Sequence, residues 1–416
     1  MIINKISTKV LIIGAGPGGA ATALYLAKAG IECVLVDKAK FPRDKICGDA
    51  LSGKVLDRLR EINPELISAF EKMNVQVPCY GVEFVAPNLE SIKLPFKKDF
   101  KTNKITPGFV AKRIDFDNFL IDEVKRQPLI HLYEETDIAS FALKDEKWLI
   151  KSNDGSFECL ADIVIAANGA HSQFSKRIGK IEVEHQHYCA GLRAYYKGIE
   201  GLSEYNFIEL HFLKEFLPGY FWIFPLPDGT ANVGVGMRSD HVSSRKVNLK
   251  KEMLNIIETN PTLKIRFKNA ELIDDIKGYG LPLGSKKRNI SGERFMLVGD
   301  AASLIDPFTG EGVGNAMLSG KLAAMQTLDC IAKNNFTAVE MKNYDTAVNK
   351  ELGDELQLSY RLQQLVNNKW LFNWIVRKAN RSKLLQDTLI NMFENLEVRE
   401  QFKKPSFYFK LLFNLK

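Results

Sequence analysis

The feature that most constrains this chain is Gly14-Ala15-Gly16-Pro17-Gly18-Gly19, a GxGxxG pattern set between two apolar runs. Val10 to Ile13 reads as a buried strand, Ala20 to Ala29 as a helix, and Cys33 to Val36 as the next buried strand. That order is a βαβ unit of the dinucleotide-binding kind. Gly14 permits the tight turn, Gly16 lets backbone approach a pyrophosphate, and Gly19 allows close packing of the helix. The helix start offers unpaired N–H groups and a positive dipole end to the anion. Asp37, 23 residues after Gly14, is placed to accept hydrogen bonds from adenosine ribose hydroxyls. A signal peptide or membrane anchor is the competing reading of the uncharged stretch Val10 to Ala27, which follows Lys5 and Lys9. The glycines and Pro17 that interrupt this stretch favour the nucleotide reading.

Further along, a helix is expected from Asp115 to Arg126, antiparallel strands around 139 to 152, and a buried strand at Ile163 to Ala167. Sheet pattern then dominates to about 280. Phe295 to Val298 reads as a short strand, Gly312 to Ile331 as a helix rich in Ala and Leu, and the remainder as almost wholly helical. At 416 residues, with 45% apolar and 26% charged content, the chain has ordinary globular composition and room for two or three packed units. Cys33, Cys47, Cys79, Cys159, Cys189 and Cys330 form no CxxC pair and no Cys/His cluster at ligand spacing. Neither a disulfide framework nor a metal site is expected, and a cytoplasmic, reducing setting fits.

Of the net charge of +7, six units come from residues 366–416, which hold ten Lys/Arg against four Asp/Glu. A nearly neutral main body argues against a nucleic-acid partner, which would need a basic face. Trp370, Phe372, Trp374, Phe393, Phe402, Phe407, Tyr408, Phe409 and Phe413 interleave with these cations. Two readings stand for 366 to 400: a packed helical domain, or a surface lying on the inner face of an anionic bilayer. For Lys403 to Lys416 the peripheral membrane reading is preferred.

A second nucleotide marker separates the candidate cofactors. Phe295-Met-Leu-Val-Gly-Asp-Ala-Ala302 resembles the GD motif of FAD enzymes, in which the aspartate, here Asp300, hydrogen-bonds a ribityl hydroxyl that a nicotinamide cofactor lacks. Asp306-Pro-Phe-Thr-Gly-Glu-Gly-Val-Gly-Asn315 follows, a glycine-rich start to a helix whose N–H groups suit an anionic ring edge.

With four more stretches, the chain resembles the geranylgeranyl reductase family of FAD-dependent oxidoreductases, which share the p-hydroxybenzoate hydroxylase fold. Lys45-Ile-Cys-Gly-Asp-Ala50 is similar to the family's Cys-Gly loop beside the isoalloxazine, and Arg113-Ile-Asp-Phe-Asp117 to its Arg-x-x-Phe-Asp element. Ala166-Ala-Asn-Gly-Ala-His-Ser172 resembles its Ala-Asp-Gly-x-x-Ser segment, and Pro218-Gly-Tyr-Phe-Trp-Ile-Phe-Pro225 its Tyr-x-Trp-x-Phe-Pro strand along the substrate cavity. Three departures stand out. Asn168 replaces the usual aspartate, Glu311 stands where the family has glycine, and the Pro-Gly-Tyr step is one residue tighter.

The resemblance implies an α/β fold, α+β overall. A discontinuous Rossmann-type FAD-binding domain (1–75, 100–180 and 275–331) would carry an inserted, mostly antiparallel substrate domain (76–99 and 181–274), with a C-terminal helical region (332–416). Cofactor contacts are implied for Gly14, Ala15, Gly16, Pro17, Gly18, Gly19, Asp37, Lys38, Cys47, Gly48, Asp49, Arg113, Asn168, Gly169, Gly299, Asp300, Pro307, Gly310, Gly312, Val313 and Gly314. Gly310 and Gly312 would meet flavin O2, and Cys47 is either a participating thiol or a small residue beside the ring. Tyr220, Trp222 and Phe224 share one face of a strand, with Pro225 at its end; they wall a substrate cavity or serve as sheet core.

The implied reaction is hydride transfer from reduced flavin to C=C bonds of a lipophilic isoprenoid. An aromatic hydroxylase or halogenase is the enzymatic alternative, and a flavin-binding protein without turnover the other. Gly278-Tyr-Gly280 opens no helix, so no second dinucleotide unit is read, and electrons would come from transiently bound NAD(P)H or from an electron-transfer protein.

Overall fold

The computed structural model describes residues 4–97, 99–102, 106–383, 385–387 and 390. Five strands form the parallel heart of the first sheet, in the order Phe295–Leu297, Phe157–Ala166, Asn4–Ile13, Cys33–Val36 and Ile130–Tyr133. Ile138–Lys144 and Lys147–Ser152 extend it antiparallel from Phe157–Ala166. Parallel strands are buried on both faces, which is why Val10–Ile13 and Ile163–Ala166 are unbroken apolar runs with every residue buried.

The first helix, Pro17–Lys28, crosses the long helix Val313–Lys333 at small residues. A Cβ on Gly320 would stand 2.5 Å from the Gly18 carbonyl, and one on Gly18 would meet Val298 at 2.8 Å. Tight helix packing therefore falls to Gly18, whereas Gly19 is crowded by the Gly14 carbonyl of its own turn.

The second sheet is antiparallel apart from one parallel pair. Its order is Glu271–Leu272, Tyr188–Lys197, Thr230–Arg238, Tyr220–Pro225, Ile208–His211, Gly81–Val85 and Ser91–Pro95, with Lys277–Pro282 also on Tyr188–Lys197. Alternation sorts its faces. Ala231, Val233 and Val235 pack with Phe221 and Ile223 beneath Leu249–Thr259, while Trp222 and Phe224 look the other way.

Two helices, Leu249–Thr259 and Pro261–Arg266, lie where sheet pattern is expected to dominate. The overlooked signals are local: Asn248 accepts from Lys251 N–H, Asn260 accepts from Thr262 and Leu263 N–H, and Pro261 sits at the first helical position. The C-terminal helix Ala338–Leu365 packs against Val313–Lys333 and the edge of the first sheet, while Lys369–Arg381 lies against Ser91–Pro95 of the second, where Phe372 packs edge-on against Phe212 at 4.9 Å. Val376 and Ala379 are buried there, while Trp370 is 71% exposed. Phe393 and the aromatics from Phe402 to Phe413 lie outside the described residues.

Candidate functional site: a cavity shared by the two sheets

A single cavity of about 1850 Å³ runs from the glycine-rich turn, between the sheets, to the C-terminal helices. Pockets for one small molecule are typically about 300–1,000 Å³, so this volume suits a dinucleotide together with a second long ligand.

At its first end, Gly14 adopts φ +99° and its N–H donates to the Val36 carbonyl at 2.7 Å. A Cβ there would lie 2.6 Å from the Ala167 carbonyl oxygen, so the turn admits glycine alone. Asp37 spans the turn, accepting from Ala15 N–H at 2.7 Å and Ala39 N–H at 2.8 Å, which fixes its carboxylate at the cavity edge. Gly16, Pro17, Gly18 and Lys38 line the same wall, whereas Ala15 and Gly19 sit behind it.

Farther in, the cavity meets Cys47, Gly48, Asp49, Arg113, Asn168, Gly169, Gly299 and Asp300. Arg113 is buried and grips Asp117 through Nε at 2.7 Å and Nη2 at 2.8 Å. Burial alone would lower its pKa; Asp117 and then Cys47 hold it up. Asn168 has its Oδ1 buried without a hydrogen-bond partner, an acceptor aimed at something other than protein. Lys45 lies 3.6 Å over the Tyr279 ring and 4.0 Å from Asp300 Oδ2. Its burial pulls its pKa down, against the opposing pull of Asp300.

The Cys47 loop is held by side chains of the second sheet. Arg193, 1% exposed, takes Asp44 on Nη2 at 2.8 and 3.0 Å. Asp49 sits at φ +69° and is fully buried, accepting from Tyr195 Oη at 2.8 Å, Asn232 Nδ2 at 2.7 Å and Arg113 N–H at 3.3 Å. Burial pushes the Asp49 carboxyl up to about 6, while Asn232, Tyr195, Arg193 and Arg113 pull it down.

A folded-state pKa above the unfolded one stabilises the fold at low pH, and that contribution is lost as pH rises through the folded value. The unfolding free energy of wild type minus that of Asp49→Asn should therefore fall by about 2 kcal/mol between about pH 4 and pH 7 and be flat above. Urea unfolding across that range checks it; a pH-independent difference would show that Asp49 stays ionised throughout.

At the helix start, Asp306 Oδ1 accepts from Phe308 N–H at 2.9 Å and Thr309 N–H at 2.8 Å, shaping the turn. Gly310 takes φ +74°, with Tyr220 Oη 3.0 Å from where its Cβ would be. Gly312 caps Val313–Lys333 without a side-chain bond, which leaves the first N–H groups of a 21-residue helix facing the cavity. Pro307, Gly310, Gly312 and Val313 line the wall; Gly314 is buried off it, against the Glu311 carboxylate.

Glu311 is accommodated by a cluster that motif reading missed. Its Oε1 accepts from Ser52 Oγ at 2.5 Å, and Lys54 lies 3.9 Å from Oε2 while pairing with Glu355 at 2.8 Å and donating to Asn315 at 2.9 Å.

The far arm is apolar. Tyr220, Trp222 and Phe224 line it in a row, with ring centroids 6.0 and 6.2 Å apart. Trp222 and Phe224 also belong to a buried apolar cluster, so the strand is both cavity wall and sheet core. Pro225 ends the strand opposite Ala231, buried and off the wall. Leu358, Leu362, Phe372, Trp374 and Ile375 close the arm from the C-terminal helices. Residues 366 to 381 thus serve as packing and cavity wall.

Arg238 reaches the cavity wall, already bound to Asp240 at 2.6 and 2.8 Å. Arg245 donates to the Leu217 carbonyl and Lys286 pairs with Glu184. Among the described residues no His/Cys/Asp/Glu group could hold a metal, and no helix is long and apolar enough to cross a membrane.

The glycine cradle, the orphaned Asn168 oxygen and the acceptor pair Asp37 and Asp300 on one wall fit a flavin dinucleotide. A family model described as an FAD binding domain matches residues 7–325. A digeranylgeranylglycerophospholipid reductase of Thermoplasma volcanium is 28% identical over 393 residues, covering 91% of this chain and 89% of its own. A geranylgeranyl bacteriochlorophyll reductase-like structure from Thermoplasma acidophilum superposes with a TM-score of 0.79 at 23% identity, covering 91% of this chain and 93% of that one. A flavin-dependent halogenase structure gives 0.73 at 21% identity, over 95% and 71%. The two structural matches speak to the fold, and the family match covers most of the chain. This chain belongs to the FAD-binding domain family, as a flavin-dependent oxidoreductase.

Proposed function

We propose that this protein reduces carbon–carbon double bonds in the polyprenyl chain of a lipid. The observation that carries the reading is the continuity of one cavity from the glycine-rich turn to an aromatic and aliphatic arm closed by helices. A relative named for a digeranylgeranylglycerophospholipid substrate supports the lipid class. Bound FAD would supply the hydride chemistry.

The chain's own residues hold and isolate the reactants. Trp222 and Phe224 offer a flat apolar wall against which an alkene is oriented, and Leu358, Leu362 and Phe372 exclude water from it. The uncapped N–H groups after Gly312 favour negative charge on a bound ring edge, worth about 1 kcal/mol or more in a site shielded from solvent. Asp37 and Asp300 accept from hydroxyls of the cofactor, and Asn168 Oδ1 takes one further donor. Electrons arrive from NAD(P)H bound transiently or from an electron-transfer protein.

Anaerobic reduction with dithionite followed by a geranylgeranyl lipid tests the reading. Flavin reoxidation without oxygen, with the lipid gaining one H2 per double bond, is expected. Reoxidation that requires oxygen, with product gaining an oxygen atom, would replace it with a hydroxylase.

The lipid substrate also supports peripheral membrane contact through the basic aromatic tail. Removing the residues after Gln401 takes away Lys403, Lys404, Lys410 and Lys416 and should weaken binding to anionic liposomes by up to about a thousandfold, because each basic residue near such a surface is worth about 1 kcal/mol. Flotation of the full chain and the truncated chain measures this, and equal binding would sink it.

A further inference from the structure

Asn232 lies behind the aromatic wall, 0% exposed, and touches no ligand space. Its strand alternates Asn232, Gly234 and Gly236 on the wall side with Ala231, Val233 and Val235 on the other. The glycines leave room for the Trp222 indole, which lies so close over Gly234 that no side chain fits beneath it. The indole Nε1–H donates to Asn232 Oδ1 at 2.8 Å. On its other side, Asn232 Nδ2 donates to the Cys47 carbonyl and to Asp49 Oδ2, both at 2.7 Å. A second contact reinforces the link, since a Cβ on Gly48 would meet Phe224 at 2.9 Å.

A neutral amide is suited to this place. It donates twice toward the loop and accepts once from the wall. Aspartate would set a second carboxylate against Asp49, and leucine would strand the indole N–H and the Cys47 carbonyl. Nothing in sheet packing calls for so polar a residue at zero exposure, where each unmet group costs about 1–3 kcal/mol.

We propose that Asn232 is a positioning residue that couples occupancy of the apolar arm to the placement of the Cys47–Asp49 loop. A chain pressing on Trp222 moves the indole, the indole moves the amide, and the amide carries the loop carbonyl and Asp49 with it. The inference rests on the function proposed above, in which the arm holds the lipid and the loop flanks the cofactor.

The test uses FAD-loaded full-length protein and phytanol, a saturated chain that binds without turnover. In wild type, phytanol should shift the visible flavin spectrum. In Trp222→Phe, which keeps an aromatic wall but lacks the N–H, phytanol should bind within about threefold of wild type while the shift falls below about a quarter. Its kcat on a geranylgeranyl lipid should fall about tenfold with KM within about threefold, the mark of lost positioning rather than lost binding. Asn232→Leu should do the same, and the double variant should be no worse than Asn232→Leu alone. A wild-type spectral shift in Trp222→Phe overturns the coupling even if Asn232→Leu fails to fold, and where Asn232→Leu folds, losses that add in the double variant overturn it as well. If wild type neither binds phytanol nor reduces any polyprenyl lipid, the proposed function falls, and the coupling with it.

Discussion

Gly14→Ala is expected to yield a folded protein that has lost its FAD. The added Cβ would stand 2.6 Å from the Ala167 oxygen and 2.7 Å from Asn168 Cα, both backbone atoms of the neighbouring strand's end. The residue would also have to hold φ +99°, outside the left-handed well that an L side chain tolerates. Strain and overpacking together cost about 2–4 kcal/mol.

The chain can relieve that cost locally by moving the turn. Residues 11–13 are paired on both sides and need not follow. Relief comes at the expense of the Gly14 N–H to Val36 bond and of the Ala15 N–H that orients Asp37. Dinucleotide affinity should therefore fall about 100-fold or more, since each 1.4 kcal/mol is a factor of ten. Flavin absorbance of the purified variant, with its circular dichroism as the check on folding, measures the effect. Retention of stoichiometric flavin would show that the turn can shift without disturbing the cradle.

What sequence made legible is what local geometry enforces. The strand, turn and helix around Gly14 are dictated by residues within a few positions of one another, and Cys33–Val36 is a strand with the limits its apolar run suggests. Asp300 and Gly310 were reachable because a strand end and a glycine-rich helix start are equally local features.

What escaped lies in contacts between distant segments. Lys45 begins the Cys47 loop motif, but nothing near it in sequence says that the fold sets it over Tyr279, 234 positions away in the chain. Asn232 looks like a polar interruption in a strand until Trp222 and the Cys47 loop are placed around it. Glu311 departs from the family pattern, yet Ser52 and Lys54 supply the partners that make a carboxylate tolerable there. The C-terminal helices were expected as helices, but no periodicity says that Leu358 and Leu362 should wall a cavity rather than fill a core.

That last point gives the second large effect. Leu358 and Leu362 stand four residues apart on one face of Ala338–Leu365, and both line the apolar arm. Leu358 is 8% exposed, so a larger side chain there has no outward escape. Behind it the helix is tied to the site's own loop, with Gln363 Nε2 donating to the Pro307 carbonyl at 2.6 Å and Glu355 paired with Lys54. The indole of Leu358→Trp must therefore occupy the arm itself.

A geranylgeranyl chain would lose the space it needs, and kcat/KM for such a lipid should fall about 100-fold, corresponding to about 3 kcal/mol of transition-state stabilisation. A geranyl analogue, which does not fill the arm, should be affected by less than about fivefold. Flavin content and its reduction by dithionite should match wild type, because Leu358 lies on Ala338–Leu365 and belongs to neither the glycine-rich turn nor the Cys47 loop. Steady-state kinetics on the two chain lengths reads the ratio directly. An equal loss on both would mean that the helix sets the flavin loop rather than the length of chain the arm accepts.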